Sequence, residues 1–328
     1  VNQHATSAQS FQNKFPQLFA ALFCFLFLHS GLPALATTNE EEQETREASF
    51  EKKFIDMNIA ISEWLDGAAE VIDIFLVGKK VTNRENETNL RIENTTMSIE
   101  GEDVDNTTSL GVNLRLPNVE DYFALKFTTY DESQEKRGAQ KGILRRTPRE
   151  RNYGATVGLF RQLGNIKASF QPRIELQDPL RISHSLAFES LVDRKTYSIN
   201  PKFELFAIPD RGTGTFVALN WFIPLTEIFS FTLINNFEYE EKSHNLDVTN
   251  GFSFGQAVTE RSSLSYGLLF FSVNRPDYRL DGYSFSITWS HLLYKRIFDY
   301  QIIPHVDFLA MKNYRAVAGL NLNLSLNF

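Results

Sequence analysis

From residue 88 to the C-terminus, apolar and polar side chains alternate almost one for one, and a period of two held over segments this long leaves few folds open. The final segment shows it best. Tyr314, Ala316, Ala318, Leu320, Leu322, Leu324, Leu326 and Phe328 are apolar, while Arg315, Gly319, Asn321, Asn323, Ser325 and Asn327 lie between them, with Val317 the exception. The same pattern sets Ile166, Ala168, Phe170, Ile174 and Leu176 against Lys167, Ser169, Gln171, Arg173 and Glu175, and Tyr283, Phe285, Ile287 and Trp289 against Ser284, Ser286, Thr288 and Ser290. Successive side chains of a strand point to opposite faces, so each segment has one greasy face and one wet one.

Turn signals divide this region into about fourteen strands: 88–100, 107–117, 121–131, 151–162, 165–177, 180–192, 195–207, 213–223, 228–241, 244–257, 262–274, 279–292, 297–311 and 315–328. The first and sixth alternate poorly, which leaves twelve as the alternative. Ten residues at about 3.3 Å each, tilted by about 40°, rise about 25 Å, the height of an outer-membrane apolar band. A soluble sandwich alternates too, but with strands of about five or six residues and Greek-key crossovers. Here the segments are longer and almost every connection is short, as in a meander. Trp221, Phe222, Trp289, Tyr294, Phe298 and Tyr300 sit near segment ends, where aromatic girdles would meet the membrane interfaces. The pattern predicts an all-β, transmembrane, antiparallel up-and-down β-barrel.

The N-terminal part is different. Residues 1–36 contain no acid and one lysine, Lys14, then an apolar run from Leu18 to Leu28 and Pro33-Ala34-Leu35-Ala36, which predicts a signal peptide cleaved before Thr37. The only cysteine, Cys24, falls inside it, so a mature chain would have no disulfide, thiolate metal site or cysteine nucleophile. Residues 37–53 are acidic and poor in apolar side chains, the composition of a disordered linker or frayed helix start. Phe54, Met57, Ile61, Trp64, Leu65, Ala68, Ile72 and Phe75 then recur at spacings of mostly three and four, predicting a short amphipathic helix within 54–80. It would be periplasmic, packed on the strands after it, or else interfacial or a plug in the barrel. A mean hydropathy of −0.26 looks soluble, yet the chain carries 29 phenylalanines, and an average cannot see alternation. The net charge of −7, with no basic domain, argues against a nucleic-acid partner.

Chemistry is harder to find. Arg115, Lys126, Lys167, Arg173, Glu175, Lys202, Glu204, Glu238, Asp299 and Arg315 fall at wet positions and would line the lumen, pairing across it or bordering a narrow water path. His305 and Asp307 share a face at i and i+2, a spacing that lets a carboxylate orient an imidazole, and they are the candidate catalytic pair, although no serine is fixed beside them. His184, His244 and His291 are scattered and form no metal set, and no phosphate-binding glycine loop precedes a helix, so neither metal nor cofactor is expected.

Leu320 through Phe328, an alternating strand that ends the chain on Phe, resembles the C-terminal assembly signal of bacterial outer-membrane β-barrel proteins, with Leu322, Leu324, Leu326 and Phe328 as its apolar side. Trp64 with its helix, Leu114-Arg115-Leu116-Pro117-Asn118 and Tyr300-Gln301-Ile302-Ile303-Pro304 are loosely similar to a group of uncharacterised proteobacterial outer-membrane proteins. The resemblance implies the outer membrane of a Gram-negative bacterium, delivery by periplasmic chaperones to the barrel-assembly machinery, and outer-membrane lipid as the surroundings of a monomer. With Phe328 at the periplasmic rim, the one long connection, 132–150, faces outward. Its Lys136, Arg137, Lys141, Arg145, Arg146 and Arg149 would meet lipopolysaccharide phosphates. The expected role is a narrow passive channel for small solutes or a structural barrel. An enzyme acting on lipid or peptide is the alternative, and a surface binding platform through 132–150 the second. Ser183-His184-Ser185 lacks the rest of the motif that outer-membrane phospholipases carry.

Overall fold

A computed structural model describes residues 40–77, 88–116, 123–138, 144–293 and 297–328. The signal-peptide segment, Cys24 and Lys141 lie outside them, as does the side chain of Arg115. Two units are separated at Lys53/Phe54, and of the first only 40–53 are described, as helix.

The alternating segments form fourteen strands in chain order: β1 (Asn89–Ile99), β2 (Asp105–Arg115), β3 (Phe123–Thr128), β4 (Gly154–Leu163), β5 (Ile166–Glu175), β6 (Arg181–Ser190, resuming as Val192–Asp193), β7 (Ser198–Ile208), β8 (Gly212–Pro224), β9 (Phe229–Glu240), β10 (Asn245–Ala257), β11 (Ser262–Val273), β12 (Arg279–Leu293), β13 (Phe298–Leu309) and β14 (Ala316–Asn327). Each pairs antiparallel with its neighbours in sequence, and β1 pairs with β14 through Ile92↔Leu326 and Thr96↔Leu322, so the sheet closes into a barrel without a free edge.

The two weakly alternating segments are strands because local contacts replace the missing pattern. Asn94 and Thr96 point outward on β1 but bond across the hairpin to Asn106 and Thr108 of β2, Asn94 Nδ2 donating to Thr108 Oγ1 at 2.9 Å and Asn106 Nδ2 to Thr96 Oγ1 at 2.6 Å. On β6 the outward His184 stacks on Phe170 of β5, ring centroids 6.1 Å apart, and covers its polar edge with an aromatic face.

The wall is apolar outside and polar inside. Phe170, Ile174, Leu205, Trp221, Phe237, Phe252, Phe285 and Leu320 are exposed on the outer surface, whereas Thr107, Ser109, Ser169, Ser185, Glu204, Asn236, Thr249, Ser286 and Asn321 are buried on the inner one. With side chains alternating strictly, no helix or loop is needed to cover most of the outer wall if lipid does so.

The first helix, α1 (Glu40–Val77), begins inside the acidic segment rather than at Phe54; carboxylates near a helix N-terminus are favoured by the exposed backbone N–H groups there. From Phe54 onward its buried stripe is Phe54, Leu65, Ala69 and Asp73. Ala69 packs with Leu114 and Leu116, and Val112, Phe123 and Leu125 join that cluster. Asn113 and its cross-strand partner Lys126 line the lumen, so Leu114 and Leu125, the next residues along the pair, point out. This part of α1 therefore lies against the outer wall. Asn58 Nδ2 donates to the Asn327 carbonyl at 2.6 Å and Thr88 N–H to Asp66 Oδ1 at 3.1 Å, so the helix passes the end of β14, the start of β1 and the end of β2 in turn.

Candidate functional site

Between β3 and β4, the described residues 129–138 and 144–153 turn into the barrel. Leu144 is fully buried among Ile234 of β9, Leu269 and Phe271 of β11 and Ile303 of β13, strands on the far side of the ring from β3 and β4. Asn321 Nδ2 of β14 donates to the Arg145 carbonyl at 2.7 Å. The described residues 129–138 and 144–153 thus reach into the lumen, Arg137 against β7 and Leu144 against β9, β11 and β13.

The first turn of this segment is set locally. Asp131 caps the short helix α2 (Glu132–Glu135) by accepting from the N–H groups of Ser133 at 2.9 Å and Gln134 at 3.4 Å, and Gly138 stands at φ +78°, where a side chain would be strained. Lys126 of β3 bonds Glu132 at 2.9 Å, and Lys136 bonds the other oxygen. Burial alone would raise the Glu132 carboxyl, but Lys136 and Lys126 outweigh it and hold the group at about 2. Tyr130 is pushed up to about 12 by burial, with the Glu93 carboxylate acting the same way.

Arg137 is the centre of the contact. It is 1% exposed, its Nε donates to Glu204 Oε1 of β7 at 2.9 Å, and its guanidinium lies 3.9 Å from the Phe206 ring centroid. Glu204 also accepts from Ser185 Oγ at 2.7 Å and pairs with Lys202 at 2.8 Å, so a carboxylate inside the wall is matched on three sides. Arg145 pairs with Glu135, Arg149 bonds Glu93 of β1 at 2.7 Å and stacks over Tyr130, and Arg146 covers the Phe271 ring at 4.8 Å. Of the six cations expected to face outward, Arg137 is instead sealed inside, and Arg145 and Arg149 are matched by carboxylates of the loop and of β1. Lys136, on the turn after α2, keeps a largely exposed side chain.

Among the residues expected to line the lumen, Lys126, Lys167, Lys202 and Glu204 border a cavity of about 480 Å³ beneath α2. Lys167 lies 5.0 Å from the Phe160 ring centroid. Arg173 is buried in the wall, where it donates to Thr128 Oγ1 at 2.7 Å and Asn152 Oδ1 at 3.2 Å, tying the loop's exit to β3. Glu175 accepts from Gln177 at 2.7 Å, Glu238 is buried on β9, and Asp299 accepts from Asn327 at 3.1 Å at the rim where β14 ends. Arg315 is exposed in the turn before β14, away from the cavity.

His305 and Asp307 do come together, Nδ1 to Oδ2 at 3.3 Å, and both are buried. The imidazole lies flat over Gly319 of β14, where a Cβ would stand 2.3 Å from its ring. Ser286 of β12 stands across the strand pair from His305 and Ser284 across from Asp307, both buried, yet no hydroxyl among the described residues is within hydrogen-bond geometry of either ring nitrogen. No group of three or more metal-ligating side chains occurs among the described residues. Glu93, Glu135, Phe206 and Leu144 are the partners that sequence alone did not single out; an apolar Ile143-Leu144 pair inside a basic stretch is the signal that could have marked an inward anchor.

No family model matches the chain, and no curated protein does. Among solved structures, the outer-membrane channel DcaP of Acinetobacter baumannii is similar at 9% identity over 74% of this chain and 97% of that one, with a TM-score of 0.46. OmpT of Vibrio cholerae matches at 7% identity over 76% and 99%, TM-score 0.44, and the KdgM porin at 8% over 73% and 99%, TM-score 0.38. Likeness this distant passes nothing about solutes or activity to this chain.

Proposed function

We propose that this chain spans the outer membrane of a Gram-negative bacterium as a fourteen-stranded barrel and acts as a narrow passive channel for small solutes. The observation that carries the proposal is residues 129–138 and 144–153 seated inside the lumen, with a charged cavity of about 480 Å³ left beside them. Ligand pockets commonly measure about 300–1,000 Å³, so this space suits a small solute and its water, not a polymer coil. The outer wall supports the membrane setting, because a ring of exposed Phe, Leu, Ile and Trp with a closed hydrogen-bond ladder satisfies both demands of a bilayer. Polar lumen walls and a constricting charged element are how a pore sets size and charge preference.

The test is single-channel recording of the full chain refolded into a planar bilayer. Discrete, ohmic steps that enlarge when Leu144→Ala loosens the inner segment support the channel. Inserted barrels that stay silent in both forms overturn it in favour of a structural barrel.

A further inference from the structure

α1 has more faces than a docked helix needs. At about 100° per residue, Ala60, Trp64 and Val71 lie to one side of the stripe of Phe54, Leu65 and Ala69 that meets the barrel, and Asp56, Glu63 and Glu70 come next beyond them, roughly opposite that stripe. Met57 and Ala68 extend the apolar flank towards the barrel. Trp64 is 70% exposed and Val71 69%, on a helix that has already buried a different apolar stripe. An apolar flank between a protein-facing stripe and an acidic one requires a third environment.

The barrel shows what that environment is. Leu116 faces outward like Leu320, yet Leu116 is 0% exposed under the helix while Leu320 is 45% exposed on open wall. The helix therefore occupies ground that belongs to the outer apolar belt. It lies where β14 ends and β1 begins, at the rim opposite the one from which 129–153 enters, and it crosses strand ends instead of running along a strand. There the flank of Trp64 continues the apolar surface of the wall, and the acidic stripe turns to water. Indole rings favour the headgroup level of a bilayer.

We infer that residues 54–73 form an interfacial helix whose Trp64 flank is seated in the lipid leaflet at the rim carrying the barrel's closing strands, outside the barrel and not in its lumen. Its charge is acidic, so attraction to anionic lipid does not hold it; the contact with Leu114 and Leu116 does. With Phe328 at the periplasmic rim, this is the periplasmic leaflet. The inference rests on the membrane-spanning barrel, and a tryptophan on the barrel wall separates the failure of one from the failure of the other.

The chain has three tryptophans, Trp64, Trp221 and Trp289. Two single-tryptophan forms of the full chain, W221F/W289F and W64F/W289F, would be reconstituted in phosphatidylcholine vesicles brominated either near the ester end or near the methyl end of the acyl chains. Trp64 should lose most of its emission to the shallow bromines, less to the deep ones and little to aqueous acrylamide. Trp221, on the outer wall of β8, is the control for insertion: its quenching by bromolipid with Trp64 quenched only by acrylamide overturns the helix inference and leaves the barrel standing. Trp64 shielded from both quenchers would also overturn it, since that is the behaviour of a plug. Failure of Trp221 to respond overturns the membrane barrel itself. If a tryptophan variant fails to fold, Ala60→Cys in a Cys24→Ser chain, labelled with a polarity-sensitive dye, reads the same flank, and a water-like emission counts against the inference.

Discussion

Arg137 and Ala69 are both sealed from solvent, one inside the barrel and one outside it, and the same wall closes over them by opposite chemistry. The inner segment is held by ion pairs and hydrogen bonds that require particular partners: Glu204, Glu93 and the Asn321 amide. At the outer helix, Ala69 packs against Leu114 and Leu116, a contact of shape and apolar area, and two hydrogen bonds, Asn58 to the Asn327 carbonyl and Thr88 N–H to Asp66, mark its edges. A buried ion pair adds little net stability over an apolar pair of the same volume, yet removing one partner costs about 3–5 kcal/mol. Apolar contact is graded at about 25 cal/mol per Å² and forgiving of small changes. The lumen element should therefore fail abruptly when one charge is lost, and the outer helix by degrees.

The largest effect is expected at Arg137. Arg137→Ala strands Glu204 inside the wall and should cost about 3 kcal/mol in closing the segment, the low end of the range because Lys202 and Ser185 stay on the carboxylate. Single-channel conductance should rise and become noisy. Replacing both partners by apolar residues, Arg137→Met with Glu204→Leu, should restore a quiet, narrow channel; if the double variant is as noisy as the single one, the pair does more than hold the segment. Facing is tested next. Leu324→Arg on the outer side of β14 should cost about 2–4 kcal/mol near the midplane, measured by urea titration in vesicles, while Asn323→Ser on the inner side should be nearly silent. Equal losses would mean that the assigned faces are wrong.

At the outer helix the change should be smaller and local. Ala69→Leu overpacks a fully enclosed position at a cost of about 1–3 kcal/mol, whereas Ala60→Leu on the free flank should be tolerated. Faster proteolysis of α1 in the first variant, with the barrel's gel mobility unchanged, would show a helix that docks by fit. Identical proteolysis in the two would remove the distinction between the stripe and the flank.

The difference between the two elements also explains what was legible in the sequence. Period-two alternation located all fourteen strands, including β1 and β6 where it is weak, because burial on one face acts on every second residue and leaves a mark at each. Period 3.6 located the helix from Phe54 onward, but not its start at Glu40, since an acidic run suits a helix N-terminus and a linker equally well. Trp64, part of the same apolar series as Leu65, does not share its environment: hydrophobicity alone does not separate an exposed position from a buried one. The segment 129–153 was the least legible. A run of arginines is the same text whether it meets water, phosphate or buried carboxylates, and Glu93 and Glu204 are remote from Arg149 and Arg137 in sequence. Likewise the pairing of His305 with Asp307 comes from strand periodicity, but the absence of a hydroxyl hydrogen-bonded to that imidazole is a matter of three dimensions.

The smallest expected effect concerns ions. Around the cavity, Lys126, Lys136, Lys167 and Lys202 outnumber Glu132, Glu189 and Glu204. Glu132 is shared by two lysines and Glu204 by Lys202 and Arg137, so the cationic excess sits at those two clusters, while Lys167 stands across the strand pair from Glu189. A solute path through this space prefers anions, and the reversal potential in a KCl gradient should lie towards that of chloride. Lys167→Glu should move it towards potassium without changing the segment's closure, since Lys167 lies over Phe160 and makes no ion pair with the described residues of 129–153. The shift should be clear at about 0.1 M salt, where the screening length is about 10 Å, and fade at about 1 M, where it is about 3 Å. A reversal potential indifferent to Lys167 at low salt would mean that ions pass on the other side of the inner segment, along β8 to β12.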